Sequence, residues 1–225
     1  DALDEVGGNA MAEELLDFER EIAVMGLKGA DGETRTYPVT ETIHREEILR
    51  ESVAPARADD AVVAEAESVA RDVLEFLDGR GVYGIELFET REGEVLVNEI
   101  APRPHNSGHW TIEGARTSQF ENHVRAVLGW PLGPTDLVAP AVTANVLGDV
   151  DETEPATLRG VDAVLAAPDA DLHWYGKDDA RPLRKMGHLT ATVGSDDATA
   201  DGDVDRDALL SRARALRDEL TFRDA

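Results

Sequence analysis

Apolar and polar positions alternate along "EREIAVMGLKGADGETRTYPVTETIH", with Asp31-Gly32 near the middle. Alternation with a period of two marks a half-buried strand, and Asp-Gly is a strong two-residue hairpin signal. The pattern predicts strands near residues 20–28 and 33–40. From Asp59 to about Leu77, "DDAVVAEAESVARDVLEFL" changes to the helical period, with an aspartate at the N-cap and Gly79 or Gly81 beyond the end. "VYGIELFETREGEVLVNEI" returns to β-rich runs on either side of "REGE", predicting a second hairpin near 82–90 and 95–100. A helix from about Ser118 to Leu128 is stopped by Gly129 and Pro131. Beyond Pro140 come short strands in "AVTANVLG", "DLHWYG" and "GHLTATV", a small helix near 157–166, and a last amphipathic helix near 205–220. This order predicts an α+β chain: a body over residues 1–133 and a smaller strand-rich lobe over 134–225. No internal repeat is visible.

Composition narrows the setting. The 225 residues are 42% hydrophobic, enough for a substantial core. The formal net charge is −25, from 47 acidic against 22 basic residues, and the only lysines are Lys28, Lys177 and Lys185. Acidity spread over the whole length, with Arg in place of Lys, predicts a protein of salt-rich cytoplasm, where a Debye length of about 3 Å near 1 M screens self-repulsion. Nucleic-acid binding by a basic face is excluded. Only "GSDDATADGDVD" at 194–205 has the look of a polyanionic block. The chain has no cysteine, so disulfides and thiolate metal sites are excluded. No apolar run approaches the ~20 residues of a membrane span and no signal peptide opens the chain, which predicts a cytoplasmic location. The sequence starts at Asp1 without an initiator Met and soon enters strand-like residues, so the expectation is the later part of a longer polypeptide.

The second hairpin carries the sharpest chemical signal. If "REGE" is a four-residue loop, Thr90 pairs with Val95, and counting back sets Glu86 opposite Glu99 on one face. Two carboxylates facing across a ladder repel, so they need a cation between them or exposure to water. A hard divalent ion such as Mg²⁺ takes carboxylate oxygens and leaves positions for water and phosphate; two solvated glutamates are the alternative. Glu99 leads directly into Arg103, His105 and Asn106 within "NEIAPRPHNSGHW", a donor-rich loop suited to an anion. A zinc site from His105 and His109 fits poorly, because Asn, Ser and Gly between them oppose a helix and no ligand signature completes it. "WYGKDDARPLRKMGH" gathers Lys177, Arg181, Arg184 and Lys185 in a chain otherwise starved of lysine. Such an island is either a phosphate or carboxylate site or a set of internal salt bridges.

"NEIAPRPHNSGHWTIEGARTSQFENHVRAVLGWPL" with "LHWYGKDDARPLRKMGHL", and "FEREIAVMGLKGADGETRTYPVTETIHREEILRESVAPA" before them, resemble the N5-carboxyaminoimidazole ribonucleotide synthase family of ATP-grasp enzymes, from about residue 10 to 193. The resemblance implies an ATP-grasp fold lacking its N-terminal domain. It implies ATP and Mg²⁺ as cofactors, and ATP-dependent carboxylation of 5-aminoimidazole ribonucleotide by bicarbonate through carboxyphosphate, in purine biosynthesis. A neighbouring ATP-grasp activity, such as formate-dependent glycinamide ribonucleotide transformylation, and a non-catalytic nucleotide-binding fragment are the alternatives. By the resemblance, Glu13, Glu14, Leu15 and Leu16 meet adenine, Glu21 takes the ribose hydroxyls, and His44 with Asn98 and Glu99 completes the nucleotide site. Glu86 and Glu99 hold the metal, Arg103, His105 and Asn106 face bicarbonate and aminoimidazole, and Lys177, Arg184 and Lys185 hold the ribonucleotide phosphate. A homodimer is implied. Two features depart from the broader pattern. Ala101 stands where many ATP-grasp enzymes have a metal-binding Asn, and Gly7-Gly8 has no lysine to replace the family's Gly-rich phosphate loop.

Overall fold

A computed structural model describes residues 13–193 and 204–223, so residues 194–203 of the acidic block, and Gly7-Gly8, lie outside the described residues. In chain order the strands and helices are β1 (Phe18–Lys28), β2 (Thr34–Thr36), β3 (Thr40–Arg45), β4 (Ile48–Ala54), α1 (Asp60–Phe76), β5 (Gly81–Thr90) and β6 (Val95–Ala101). There follow α2 (Thr111–Gly114), α3 (Gln119–Leu128), β7 (Ala141–Leu147), β8 (Glu154–Pro155), α4 (Val161–Leu165), β9 (Ala170–Trp174), β10 (Asp179–Ala180), β11 (Lys185–Thr192) and α5 (Arg206–Asp218). Among the described residues the main antiparallel sheet runs β6-β5-β1-β3-β4-β7-β11-β9, with β2 pairing to β1, and β8 and β10 form a separate two-stranded sheet.

The first hairpin turns where Asp-Gly predicts, with Gly32 at φ +87 and Gly26 to Lys28 paired with Thr36 to Thr34. The second strand is shorter than the expected 33–40, ending at Thr36. The chain then forms a hairpin that the pattern did not predict, β3–β4. Its tip residues Glu46 and Glu47 adopt left-handed backbone at φ 53 and 60 without Gly or Asn, and a bulge between Ile43 and His44 interrupts the alternation. Helix α1 begins after Asp59 as expected, but the Asp59 side chain makes no capping bond. Helix α3 is capped as the sequence implies: Ser118 Oγ accepts the Glu121 N–H at 3.2 Å and Gly129 closes the end at φ +72.

One face of the sheet buries Ile22, Val24, Ile85 and Leu87 against Val62, Ala66, Ala70 and Leu74 of α1. On the opposite face Ala23, Met25 and Leu27 pack with Trp110 and Ala126. Strands β7 and β11 pack against Leu209, Leu210 and Ala213 of α5. Because β4 pairs with β7 from Glu51↔Ala144 to Ala54↔Ala141, the sheet continues across residues 133–134. No helix among the described residues is long and apolar enough to cross a membrane.

Candidate functional site

The site starts from the register of β5 and β6. Near the turn the pairing is one residue off the expectation: Glu89, not Thr90, faces Val95. Thr90 instead closes the loop, donating its N–H to Glu94 O at 2.9 Å and accepting from Gly93 N at 3.0 Å. A bulge between Leu87↔Val97 and Glu86↔Glu99 inserts Asn98 and cancels the slip, so Glu86 does face Glu99. The half-buried Glu86 carboxyl is pushed above the usual carboxylate range by burial; His44 opposes the rise, while Glu99 and Glu21 add to it.

On neighbouring strands Glu21 lies opposite Phe88 of β5 and Thr42 of β3. His44 Nδ1 is hydrogen-bonded to the Glu21 carboxylate. Glu21, Thr42, His44, Glu47, Glu86 and Asn98 line a cavity of about 210 Å³. A second cavity, about 320 Å³, is lined by Glu13, Glu14, Leu15, Leu16 and Asn98, with Phe18 and Phe88 among its walls. These two rings stack at 4.5 Å. Asn98, the bulge residue, therefore belongs to both. The apolar wall suits a planar ring and the acidic cavity suits a ribose and a metal–phosphate group. Among the described residues no three His, Asp or Glu side chains converge on a metal position. Glu86 and Glu99 fit a cation whose other ligands are phosphate and water oxygens, because each carboxylate lacks a neutralising partner from the opposite strand.

Beyond β6 the chain turns into the donor-rich loop. Arg103 is exposed, and its guanidinium donates to Pro104 O at 3.2 Å. His105 lies over Gly84, where an added Cβ would stand 2.6 Å from the His105 Cβ. Its Nδ1 is 2.7 Å from Ser107 Oγ and 3.6 Å from Glu86 Oε1. Burial lowers the His105 pKa to about 4, with Arg103, Lys185 and His44 adding to the effect, so the ring is neutral. Asn106 is held by a second amide. It donates to Asn145 Oδ1 at 3.1 Å and accepts from Asn145 Nδ2 at 2.6 Å, a two-point amide pair that ties the loop to β7.

The basic segment divides. Lys177 donates to the Lys185 carbonyl and lies 5.7 Å from the Tyr175 ring centroid, while Arg184 donates to Asp179 O at 2.9 Å. Lys185 is half-buried, and burial lowers its pKa; Glu86 opposes that, while Arg103 and Lys177 reinforce it. Lys185 is thus electrostatically coupled to both the carboxylate pair and the donor loop. Among the described residues none of Lys177, Arg181, Arg184 and Lys185 is within 4.0 Å of a carboxylate oxygen, which disfavours the internal salt-bridge reading.

Sequence reasoning missed a cluster behind the loop. His188 is stacked on His173 at 4.5 Å and lies 4.8 Å from His109. Its Nδ1 is 2.7 Å from Tyr175 Oη, and His173 Nε2 is 2.7 Å from Glu113 Oε1. Burial lowers the pKa of His109 to about 4 and that of His188 further. These residues come from two segments, 109–113 and 173–188, far apart in the chain, so no local motif announces them. Gln119, also missed, is fully buried against this loop.

The comparisons with known proteins agree in place and order. A profile of the ATP-grasp domain matches residues 1–120, and one of the phosphoribosylaminoimidazole carboxylase C-terminal domain matches residues 141–201. The chain is 41% identical over 186 residues to N5-carboxyaminoimidazole ribonucleotide synthase of Bacillus subtilis, covering 81% of this chain and 47% of that protein. It is 40% identical over 189 residues to phosphoribosylaminoimidazole carboxylase of Saccharomyces cerevisiae, covering 82% of this chain and 33% of that protein. The chain thus spans half or less of the length of these curated relatives. Its fold is similar to the crystal structure of N5-carboxyaminoimidazole ribonucleotide synthetase from Thermotoga maritima, with TM-score 0.81 and 42% identity over 93% of this chain and 54% of that one. It is also similar to the Aspergillus clavatus enzyme in complex with ADP and 5-aminoimidazole ribonucleotide, with TM-score 0.76 and 32% identity over 91% of this chain and 53% of that one.

Proposed function

The chain belongs to the ATP-grasp family, and from that premise we propose that it is part of a carbon–nitrogen ligase that uses ATP to join bicarbonate to 5-aminoimidazole ribonucleotide. The product is N5-carboxyaminoimidazole ribonucleotide, with ADP and phosphate released. The observation that carries this reading is a single junction. Glu86, facing Glu99, lines the cavity of Glu21, His44 and Asn98, and His105, Arg103 and Lys185 gather within electrostatic reach of the same carboxylate or of one another. Acidic groups at one edge and anion donors at the other fit a metal-bound polyphosphate meeting bicarbonate.

Glu13 to Leu16, with the Phe18–Phe88 stack, form the adenine side, and Glu21, oriented by His44, takes the ribose. Glu86 and Glu99 would hold Mg²⁺, which would supply charge neutralisation for phosphoryl transfer. Bicarbonate oxygen attacks the γ-phosphorus, the bond to the ADP oxygen breaks, and carboxyphosphate forms. Arg103 and Lys185 bind the anions on this path, and neutral His105 is available to move a proton when the aminoimidazole nitrogen attacks the carboxyl carbon and phosphate leaves. Asn106, paired with Asn145, holds the loop on the bicarbonate and aminoimidazole side, with one amide hydrogen left for substrate. Lys177 and Arg184 take the ribonucleotide phosphate, and the absence of ion pairs to both, among the described residues, supports that role. A homodimer in a salt-rich cytoplasm, with a body to residue 133 and a lobe after it, completes the proposal.

The test uses the full-length protein that carries this chain. ADP release is expected to require both bicarbonate and 5-aminoimidazole ribonucleotide, with glycinamide ribonucleotide unable to substitute. Glu99→Gln is expected to lower turnover by about 10²-fold, the scale on which loss of an oriented electrostatic group acts. Unchanged turnover in that variant overturns the metal assignment.

A further inference from the structure

His105 is gripped at the backbone by one buried side chain from another element. Gln119 at the start of α3 accepts the His105 N–H through Oε1 at 2.9 Å and donates from Nε2 to the His105 carbonyl at 2.7 Å. Both main-chain groups of a single residue are thus satisfied by one amide, as a neighbouring strand would satisfy them. The polarity of this pair fixes which end of the Gln119 amide is which. Its Nε2 also lies 3.1 Å from His109 Nδ1.

Gln119 is itself held rigidly. Its N–H donates to Thr111 Oγ1 at 3.0 Å, whose hydroxyl donates to Gly108 O at 2.7 Å. Gly108 leaves the necessary room, since a Cβ there would stand 2.9 Å from Gln119 Oε1 and 2.5 Å from Met25 Cγ. The side chain has no exposure, so it touches no substrate and acts only through His105 and His109.

We propose that Gln119 is a positioning residue for the reaction, fixing the His105 main chain so that the ring over Gly84 is presented to the aminoimidazole and bicarbonate side of the site. The inference rests on the function proposed above. A two-point clamp defines distance and direction together, and displacing a reacting group by about 1 Å can cost 10²-fold in rate. The nucleotide cavities are lined by neither Gln119 nor His105, so loss of the clamp is expected to change ATP binding less than turnover.

The test compares Gln119→Met, of similar volume with neither bond, and Gln119→Glu, of the same shape with the acceptor kept and the donor kept only while the buried carboxyl is protonated, in the full-length protein. Gln119→Met is expected to lower kcat by about 10- to 100-fold with KM for ATP changed less than about twofold. It is also expected to speed amide hydrogen exchange over residues 103–109 by about tenfold or more, while the sheet strands keep wild-type protection. Gln119→Glu is expected to keep more of that protection, because the His105 N–H still has its acceptor, and to lose kcat as pH rises and the acid ionises, where the wild-type protein does not. Wild-type kcat in both variants, or a kcat loss matched by an equal loss of ATP affinity, overturns the proposal. Exchange distinguishes the two readings: if the wild-type protein fails to turn over aminoimidazole ribonucleotide, the function is wrong. The clamp then stands if protection at 103–109 is lost in Gln119→Met and falls if it is kept. Should Gln119→Met unfold, Gln119→Glu alone decides, and a wild-type kcat at every pH there overturns the role.

Discussion

Gly84 shows how one missing atom shapes the site. It pairs with Met25 and Ala101, and the space its absent Cβ leaves is filled by His105. Gly84→Ala sets a methyl 2.6 Å from the His105 Cβ, an atom anchored to the clamped backbone and unable to swing aside. The substitution is expected to cost about 1–3 kcal/mol of stability by overpacking, and to reduce bicarbonate-dependent turnover more than ATP binding. Denaturant melts with nucleotide titration check both parts. At this scale the sequence was informative wherever chemistry is local. Glu86 and Glu99 could be set face to face by counting, although the count carried a slip that the Asn98 bulge happened to cancel. Arg103 and His105 could be singled out because they follow Glu99 directly. Gln119, His173 and Glu113 could not, because an amide or imidazole becomes a clamp or a stack only through partners up to 79 residues away, as between His109 and His188.

Among elements, α5 is the one whose attachment matters most to the lobe. Glu51 of β4 is fully buried and is met by Arg45 of β3 at 3.1 Å and by Arg214 and Arg217 of α5 at 3.0 and 3.1 Å. Burial alone would raise the Glu51 pKa; the Arg214 hydrogen bond and the charges of Arg214, Arg217 and Arg45 overcome it and hold the carboxyl below its usual range. Arg206 and Arg57 fasten the start of the same helix, through the Ala56 carbonyl and Asp207. Glu51→Gln leaves three guanidiniums around a neutral amide and is expected to destabilise the fold by about 3–5 kcal/mol, the range for breaking a buried ion cluster on one side. Urea unfolding measures it, and a loss below about 1 kcal/mol contradicts the cluster's structural role. The helix, and the strands β7 and β11 that it packs on, were legible from periodicity. The β3–β4 hairpin was not, because its turn is made by two glutamates in left-handed backbone, against the residue preferences by which turns are read.

For the whole molecule, two electrostatic effects pull in opposite directions with pH. The net charge of −25 makes the compact state repel itself, and protonating carboxylates relieves that repulsion as pH falls. In about 2 M KCl the Debye length is below about 3 Å, so the long-range part is screened and buried groups dominate. Burial holds His105 and His109 near about 4, against an unfolded value of 6.5, and lowers His188 further. Below pH 6.5 the unfolded chain takes up protons that the folded chain refuses, so stability is lost as pH falls from 6.5 toward 4. Glu86 and Glu89, whose burial raises their pKa, act the other way over the lower part of that window. Two modestly raised carboxyls do not offset three histidines, two of them shifted from 6.5 to about 4 and the third lower still. In 2 M KCl without metal or nucleotide, the melting temperature is therefore expected to decline steadily from pH 7 to pH 4.5. His188→Gln is expected to flatten part of the decline, since it removes the most strongly shifted group while keeping a partner for Tyr175 Oη. A melting temperature that is level or rising over this interval in high salt would show that these imidazoles are not held neutral by the fold.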